Sequence, residues 1–362
     1  MERTAVTIDG SHGEGGGQIL RTSLTLSILT GRPLIIEKIR AGRSKPGLQP
    51  QHLASVKAAA ALSRADLEGA AVGSTLLGFI PRTPAVPGSY HFDIGTAGAA
   101  TLVAQTVMIP LALADAPSDV TITGGTHVPF APMVDYLEHV YAEVLAAHGL
   151  AIAVDAPSAG FFPRGGGSLR LAIEPSRLNR PVTLVERGAL QTVTAHVITS
   201  GLPPDVARRG EAALRERLQG LPIEVAINSR EVSSPGPGAA VFLMAICETG
   251  RAGFSATGVR GKPVEAVGGE ACEDLLAWFR SGAACEEHLA DQLALPMALT
   301  PGLSQWTTSR VTEHLRTMLW LLPQFLGVEV SLTENTDGSG TVTVCGGQPP
   351  YSPMSSASAR HS

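Results

Sequence analysis

The sequence is poor in aromatic side chains, in long apolar runs and in paired cysteines. Aromatic residues make up 4% and charged residues 16% of the 362 residues. The longest apolar stretches, 102–114 and 318–326, are interrupted or shorter than the about 20 residues that span a bilayer, and residues 1–4 lack the basic-then-apolar layout of a signal peptide. The four cysteines show no CxxC pair and no spacing typical of metal ligands. We therefore expect reduced thiols, no structural zinc, no membrane segment and a cytoplasmic location.

Glycine and proline, by contrast, are plentiful, and the positive charge is unevenly distributed. The 40 glycines and 26 prolines are scattered, which predicts many short elements joined by tight turns. The net charge is −5, yet residues 1–60 hold eight Lys or Arg against four acids. A basic site on an acidic protein suits a compact anionic ligand better than a long duplex, although a solvated charged face would give the same count.

Three segments repeat a plan in which helices alternate with strands. They begin near residues 15, 95 and 284, and the third contains predicted helices at 287–299 and 309–326. The stretch 186–280 breaks this plan. It has predicted strands and helices of its own: strands 191–198, 224–228 and 239–246, and helices 204–219 and 264–281.

This pattern predicts a mixed α/β (α+β) fold. We expect a large discontinuous domain of three repeated units at residues 1–185 and 281–345, in which helices pack on small sheets. Residues 186–280 are predicted to form a small inserted α/β domain. The small, polar tail at 346–362 is predicted to be disordered.

A glycine-rich segment at residues 13–17 leads directly into a predicted helix. Backbone N–H groups at such a helix start can bind a phosphate. The pattern is neither GxGxxG nor GxxxxGK[ST], so it indicates neither a dinucleotide fold nor a Walker site. A tight strand–helix turn remains the alternative interpretation.

Cationic side chains near this segment favour the phosphate-binding interpretation. Arg21 lies one turn into the helix, and Arg40, Arg43 and Lys45 fall on a short loop rich in Gly and Pro. Two arginines at close range offer forked contacts to phosphate. Glu14, an acid within the glycine segment, could hold a divalent cation.

The segments 9–21 and 39–53 closely resemble the RNA 3′-terminal phosphate cyclase family. Further stretches continue the resemblance in order along the chain: Gly124–Thr126, Gly160–Gly167 and His288–Leu299. The resemblance runs from residue 5 to about 345 and is weakest across the predicted insert. It implies three units similar to the C-terminal domain of translation initiation factor three, with a small α/β insert before the last unit.

The resemblance also implies a reaction with ATP as co-substrate and a divalent metal, Mg²⁺ or Mn²⁺. A histidine attacks the α-phosphate of ATP to give a histidine–AMP adduct. AMP then passes to the 3′-phosphate end of an RNA, and the neighbouring 2′-hydroxyl displaces it to leave a 2′,3′-cyclic phosphate. The partner implied is an RNA 3′-phosphate end. The oligomeric state stays open, a homodimer being one possibility.

The resemblance assigns roles to fifteen residues. His314 is the implied nucleophile and Glu14 the implied metal ligand. Five residues are implied to bind the RNA phosphate: Arg21, Arg40, Arg43, Gln51 and His52. Eight are implied to bind ATP: Gln105, Pro132, Phe254, His288, Leu289, Ala290, Asp291 and Gln292. Without the resemblance, His314 would be a boundary histidine of its helix, Gln105 a polar helix position and Asp291 a solvated acid.

Three positions differ from the family pattern. Glu313 precedes His314, where an acid could either hold the imidazole protonated or face solvent. His288 stands where family members often have an aromatic residue. Ala159 stands where the signature before Gly160–Gly167 usually begins with Arg or His, so that segment is interpreted as a structural turn.

Two other functions remain compatible with parts of the sequence. The first is a non-catalytic cyclase-like protein that assists ribosome assembly, a class that lacks the nucleophilic histidine. The second is an enolpyruvyl transferase, which is built from related repeated βα units and could use Arg40 and Arg43 to bind its substrate. Histidine–AMP formation would exclude both.

Overall fold

A computed structural model describes residues 4–347 of the chain. The predicted mixed α/β class is confirmed: every sheet has four strands, and helices cover the sheets. Most of the predicted tail lies outside the described residues. Within residues 4–347 no helix combines the length and apolarity needed to cross a membrane.

The first unit lies at the N-terminus. Its elements are strand β1 (Val6–Asp9), helix α1 (Gly17–Thr30), strand β2 (Leu34–Glu37), helix α2 (Pro50–Ser63), and strands β3 (Asp66–Glu68) and β4 (Leu77–Ile80). The sheet order is β1-β2-β4-β3, in which β1 and β2 are parallel and the other pairs antiparallel.

The second unit repeats this topology. Its elements are β5 (Ser89–Asp93), α3 (Ala100–Ala112), β6 (Ser118–Gly124), a second helix that runs through α4 (Val134–Tyr136), a π-helical segment (Leu137–Ala142) and α5 (Glu143–Ala147), then β7 (Ile152–Ser158) and β8 (Gly167–Ile173). The order β5-β6-β8-β7 matches that of the first sheet position by position.

A short strand, β9 (Thr183–Leu184), precedes a separate α/β body. That body comprises β10 (Leu190–Ser200), α6 (Pro204–Leu218), β11 (Val225–Glu231), β12 (Gly238–Cys247), β13 (Arg251–Thr257) and α7 (Val264–Ser281). Its sheet order is β11-β10-β12-β13, and its apolar side chains form a core of their own. Strand β13 has no counterpart among the predicted strands.

The third unit resumes after this body. It contains α8 (Glu287–Ala298), β14 (Gly302–Thr308), α9 (Glu313–Phe325), β15 (Glu329–Glu334) and β16 (Gly340–Gly346). The sheet order β9-β14-β16-β15 repeats the topology once more, and β9 takes the first place although the insert separates it from the rest.

Helix α9 begins four residues later than predicted. Thr312 is its N-cap, and the Thr312 hydroxyl accepts a hydrogen bond from the backbone N–H of Leu315 at 3.1 Å. Because a threonine cap satisfies one of the free N–H groups of the first turn, it fixes the start of the helix there. His314 therefore lies in the first turn, at the end of the helix rather than within it.

Candidate active site

A cleft of about 840 Å³ opens between helices α1, α2, α3, α8 and α9 of the repeated units on one side and β13 and α7 of the insert on the other. Thirteen of the fifteen residues singled out by sequence line it: Glu14, Arg21, Arg40, Arg43, Gln51, His52, Gln105, Pro132, Phe254, His288, Asp291, Gln292 and His314. Residues from every part of the chain thus meet in one cavity.

Leu289 and Ala290 do not reach the cleft. Both are buried in the core of the repeated units, and the carbonyl of Ala290 accepts a hydrogen bond from the indole N–H of Trp306 at 3.1 Å. The reason is helical periodicity, since residues three and four apart share a face. His288, Asp291 and Gln292 face the cleft, and the two residues between them face the core.

The glycine-rich loop brings the start of α1 close to the side chains of His52 and Arg21. A Cβ atom on Gly17 would lie 2.5 Å from Nε2 of His52 and 2.7 Å from Nη1 of Arg21. Gly13 has a φ of +56°, and a Cβ there would lie 2.3 Å from Oγ1 of Thr317 on α9. Glycine at these two positions allows the loop to touch both the cationic cluster and the helix that carries His314.

His314 is held in one orientation by a side chain of α1. Its Nδ1 lies 2.7 Å from Oε1 of Gln18. An amide oxygen only accepts hydrogen bonds, so Nδ1 carries the proton and the neutral ring leaves Nε2 with a free lone pair.

The pKa of His314 is lowered. Burial is the main cause; Asp291 opposes it, whereas Arg21 and Arg43 reinforce it. Glu313 does not hold the ring protonated, because its carboxylate is exposed and lies 3.4 Å from Nε of Arg316. The side chain at position 314 is therefore a neutral imidazole at neutral pH.

Glu14 lies between His314 and Arg43. Oε1 pairs with Nη2 of Arg43, and Oε2 lies 2.9 Å from Nε2 of His314. Oε2 is buried and has no hydrogen-bond partner among residues 4–347. A carboxylate oxygen facing an imidazole lone pair calls for a cation or a proton between them.

One end of the cleft is cationic. Burial lowers the pKa of Arg21 to about 10, and Arg21 makes no salt bridge within residues 4–347. Arg40 has a φ of +53°, and its guanidinium donates to the backbone oxygens of Lys45 and Gly47 at 2.5 and 3.1 Å. These bonds hold the guanidinium in place, because the loop itself supplies its acceptors.

His52 and Gln51 complete this end. Burial, with Arg21 and Arg40 nearby, lowers the pKa of His52 to about 3. Its Nδ1 accepts from the backbone N–H of Gln49 at 3.1 Å, so the neutral ring carries its proton on Nε2. Gln51 accepts from the backbone N–H of Ala99 at 3.1 Å and so connects α2 to the start of α3. A cationic, donor-rich pocket of this kind binds phosphate.

The other end is acidic and partly aromatic. Burial raises the pKa of Asp291 to about 7, against the opposing effects of His288 and His314. The cleft walls partly desolvate the exposed ring of His288, which by itself would lower its pKa, but the carboxylates of Glu286, Asp291 and Glu287 together raise it. Gln105 donates to Gln292 at 3.0 Å.

The insert supplies the aromatic surface of this end. The rings of Phe254 on β13 and Trp278 on α7 lie 5.6 Å apart between centroids, and both residues line the cleft. Pro132 lines it from the repeated units. Flat apolar surfaces beside polar groups suit a nucleobase.

Sequence reasoning missed several residues of the cleft. Gln18 orients His314, and the Glu286 carboxylate caps α8 by accepting from the N–H groups of His288 and Leu289 while it accepts from the hydroxyl of Tyr136. Trp278 and Arg310 also line the cleft. Gln18 directly follows the glycine-rich segment and could have been proposed from it. Glu286 was missed because glutamate is a rare N-cap, and nothing in the local sequence marks Trp278.

The chain matches the sequence model of a family described as RNA 3′-terminal phosphate cyclase over residues 12–332. Curated relatives of that name include one from Pyrobaculum neutrophilum, 46% identical over 91% of this chain and 95% of the relative. Another, from Ralstonia nicotianae, is 45% identical over 92% and 95%.

Among solved structures, the enolpyruvyl transferase NikO from Streptomyces tendae aligns with a TM-score of 0.37 and 12% identity, covering 95% of this chain and 48% of that one. The sequence matches are far stronger and extend over nearly the whole chain. By its sequence, the chain belongs to the RNA 3′-terminal phosphate cyclase family.

Proposed function

We propose that this protein converts the 3′-terminal phosphate of an RNA to a 2′,3′-cyclic phosphodiester at the expense of ATP. The observation that carries the proposal is the environment of His314. A neutral imidazole with a fixed tautomer lies in a cleft that is cationic at one end and suited to a nucleobase at the other.

The first step is attack by Nε2 of His314 on the α-phosphorus of ATP. A P–N bond forms, the P–O bond to pyrophosphate breaks, and the adduct is a histidine–AMP phosphoramidate. The amide oxygen of Gln18 accepts the hydrogen bond from Nδ1–H throughout, so the His314 ring can carry developing positive charge without rotating. The lowered pKa of His314 keeps Nε2 unprotonated for attack.

The next steps take place at the cationic end. An oxygen of the RNA 3′-phosphate attacks the adenylyl phosphorus, and His314 leaves as a neutral imidazole. The RNA 2′-hydroxyl then attacks its own 3′-phosphorus; a P–O bond forms, the P–O bond to AMP breaks, and the hydroxyl proton passes to solvent. Arg21 and Arg43 would offset the charge on the phosphoryl oxygens, and the Nε2–H of His52 would donate to one of them.

A divalent cation fits beside Glu14. Oε2 of Glu14 is buried, accepts no hydrogen bond from the described part of the chain and lies 2.9 Å from Nε2 of His314, and it is an oxygen ligand of the type that Mg²⁺ and Mn²⁺ prefer. No group of three or more His, Cys, Asp or Glu within residues 4–347 could hold a metal ion, so phosphate and water oxygens would complete the coordination. When bound, the cation would neutralise charge on the transferring phosphoryl group.

ATP would place its base at the acidic, aromatic end of the cleft. Pro132 and Phe254 offer flat surfaces there, and His288 offers an exposed ring. Gln105, Gln292 and Asp291 offer polar groups that could orient the nucleotide. This arrangement would bring the α-phosphate toward His314.

Retention of label from α-³²P-ATP tests the proposal. Wild-type protein incubated with ATP and a divalent metal should retain acid-labile label, and His314→Ala should retain none. His91→Ala is the matched control, since His91 is exposed outside the cleft. His288→Ala, a second histidine of the cleft, should keep the label at a higher ATP concentration. Equal labelling of wild type and His314→Ala would overturn the assignment.

Addition of RNA separates the later steps. Labelled wild-type protein should pass its AMP to an oligoribonucleotide with a 3′-phosphate and release a cyclic end, whereas an oligoribonucleotide with a 3′-hydroxyl should leave the label on the protein. Glu14→Ala should raise the metal concentration needed for half-maximal labelling, and Glu313→Ala should not. Release of label by both RNAs alike would contradict a role for the terminal phosphate.

A further inference from the structure

Two exposed phenylalanines emerge from neighbouring loops of the second unit. Phe130 is fully exposed although it lines the cleft, and Phe162 is 54% exposed. Phe130 also has a φ of +62°, a conformation that a bulky side chain rarely adopts. A strained backbone that holds an aromatic ring in water costs free energy, and such strain is typical of functional loops.

Both loops are fixed at their bases. The backbone N–H groups of Thr126 and His127 donate to the carbonyl of Gly160 at 3.0 and 3.1 Å, and His127 forms a parallel bridge with Phe161. On the far side of Phe130, Thr101 donates to the carbonyl of Pro132 at 2.7 Å. The two rings are thus presented by anchored backbone.

The turn at residues 160–167 lies near Gln51, and Phe130 itself lines the cleft. A Cβ on Gly165 would lie 2.6 Å from Cα of Ala97, and one on Gly98 would lie 2.9 Å from Cβ of Gln51. The turn at Gly160–Gly167 therefore packs on residues 94–98, which pack on Gln51. This packing connects the turn to Gln51 of the phosphate pocket.

A cation accompanies the aromatic rings. Arg164 is exposed in the same turn and makes no salt bridge within residues 4–347. Its aliphatic stem packs against Gly236 of the insert, where a Cβ would lie 3.2 Å from Cβ of Arg164. Free arginine beside exposed aromatic rings is the combination with which proteins bind single-stranded nucleic acid.

We propose that Phe130, Phe162 and Arg164 form a binding track for the single-stranded RNA that precedes the 3′ end. This inference rests on the proposed function. Phe130, in the cleft, stacks on a base next to the terminal phosphate. Phe162 and Arg164, in the turn outside it, contact a base and a phosphate further upstream. Bases stack on aromatic rings without regard to sequence, so the track accepts different RNAs.

Equilibrium binding of 3′-phosphorylated oligoribonucleotides without ATP tests the track. Wild type should bind a 12-nucleotide single strand more tightly than a dinucleotide. Phe130→Ala should weaken the binding of both by about tenfold, the scale of one lost stacked base. Phe162→Ala should weaken the binding of the 12-mer to the same extent and leave the binding of the dinucleotide unchanged. Phe130→Trp should restore the binding that Phe130→Ala loses.

Arg164→Gln should weaken the 12-mer a few-fold and reduce the slope of log K against log salt by about 0.7, the value for one phosphate contact on a single strand. The matched control is Arg170→Gln, because Arg170 follows the turn on β8, is exposed and makes no salt bridge within residues 4–347. Leu303→Ala, which shortens an exposed side chain outside the cleft, controls for apolar surface. Both controls should bind like wild type.

The track would be overturned if Phe162→Ala and Arg164→Gln bound the 12-mer with wild-type affinity. It would also be overturned if Phe162→Ala lost affinity equally for the dinucleotide and the 12-mer, or if the wild type bound a blunt RNA duplex as tightly as the single strand. A protein that shows the expected binding pattern but no cyclisation would retain the track and refute the proposed function. A protein that cyclises RNA while Phe162→Ala and Arg164→Gln bind RNA normally would retain the proposed function and refute the track.

Discussion

The reactivity of His314 depends on which neighbours face each of its ring nitrogens. Gln18 faces Nδ1 at 2.7 Å and Glu14 faces Nε2 at 2.9 Å. The carboxylate of Glu14 also pairs with Arg43, and this pairing limits the ability of the carboxylate to stabilise a protonated His314 ring. Burial and the nearby arginines lower the pKa of His314, and Gln18 keeps the ring proton on Nδ1, so Nε2 is the free nitrogen.

Replacement of Gln18 should slow adenylylation without abolishing it. In Gln18→Ala the ring loses its acceptor for Nδ1–H, so both tautomers and other ring orientations become accessible. By analogy with residues that orient ligating histidines, we expect a loss of about 10- to 100-fold in the rate of label transfer. Single-turnover labelling measures it, with the exposed Gln324→Ala as control. A wild-type rate would show that Gln18 does not set the tautomer.

Asp291 should make the free energy of unfolding depend on pH. Its pKa is raised by burial from 3.8 to about 7, so the folded state holds a proton that the unfolded chain releases. The stability from this proton is complete below about pH 4 and is lost as the pH rises to about 7, at up to about 1.4 kcal/mol per pH unit. Asp291→Asn should remove this loss.

Urea denaturation at pH 4.5 to 8 measures the effect. Asp115→Asn, at an exposed position outside the cleft, should follow the wild-type profile. If Asp291→Asn declines between pH 4.5 and 7 as steeply as wild type, Asp291 is already ionised in that range.

At the scale of elements, the glycine-rich loop and helix α9 behave as one packed unit. A Cβ on Gly13 would lie 2.3 Å from Oγ1 of Thr317, and Gln18 reaches His314 from the same loop–helix segment. The loop and the start of α1 therefore contact α9 at His314 and, one turn later, at Thr317. Substitutions in the loop should therefore perturb α9 directly, before they affect any bound ligand.

A double-mutant cycle measures this packing. Gly13→Ala should lower the free energy of unfolding by about 2 to 3 kcal/mol, because it adds a clash with Thr317 to the about 1 kcal/mol cost of a positive φ. In Gly13→Ala/Thr317→Ala the clash is relieved, so the two effects should fall short of additivity by about 1 kcal/mol. Thr317→Val keeps the bulk and should give no relief. Additive effects would show that the loop and α9 are not in contact.

Local pattern predicted some elements closely and missed others for identifiable reasons. Helix α7 (Val264–Ser281) has the predicted bounds, since Pro263 precedes it and Gly282 follows it. The predicted start of α9 was wrong because the Thr312 cap outweighs the apolar spacing that continues upstream to Val311. Strand β13 was missed because Arg251–Thr257 mixes small and polar residues, and only pairing with β12 makes it a strand.

For the molecule as a whole, the sequence indicates candidate site residues but not which of them lie close together in space. Gln18 and His314 are 296 residues apart. Strand β9 has two residues and joins the third sheet across the entire insert, so no local pattern could place it there. The family resemblance supplied the site residues, but the helical phase that turns Leu289 and Ala290 into the core is visible only in the packed structure.

The position of the insert should control the width of the cleft, because the insert supplies Phe254 and Trp278. Arg230 on β11 pairs with Asp135, which is only 3% exposed and also lies 3.0 Å from His127. Arg251 on β13 donates to the carbonyl of His139 in the π-helical segment at 2.9 Å. These contacts attach the insert to the second unit beside the nucleotide end of the cleft.

Loss of the Arg230–Asp135 pair should therefore weaken both folding and ATP binding. Arg230→Ala leaves a buried carboxylate with His127 as its remaining partner, which should cost about 1 to 2 kcal/mol after allowance for the 46% exposure of Arg230. The KM for ATP should rise a few-fold as the insert loosens. Arg209→Ala is the matched control. Arg209 is also 46% exposed in the insert, but its partner Glu265 is 41% exposed, so loss of this solvent-screened pair should change stability little and leave the KM unchanged. Urea denaturation and labelling at varied ATP concentrations measure the two effects. Equal behaviour of the two variants would mean that Asp135 does not hold the insert against the cleft.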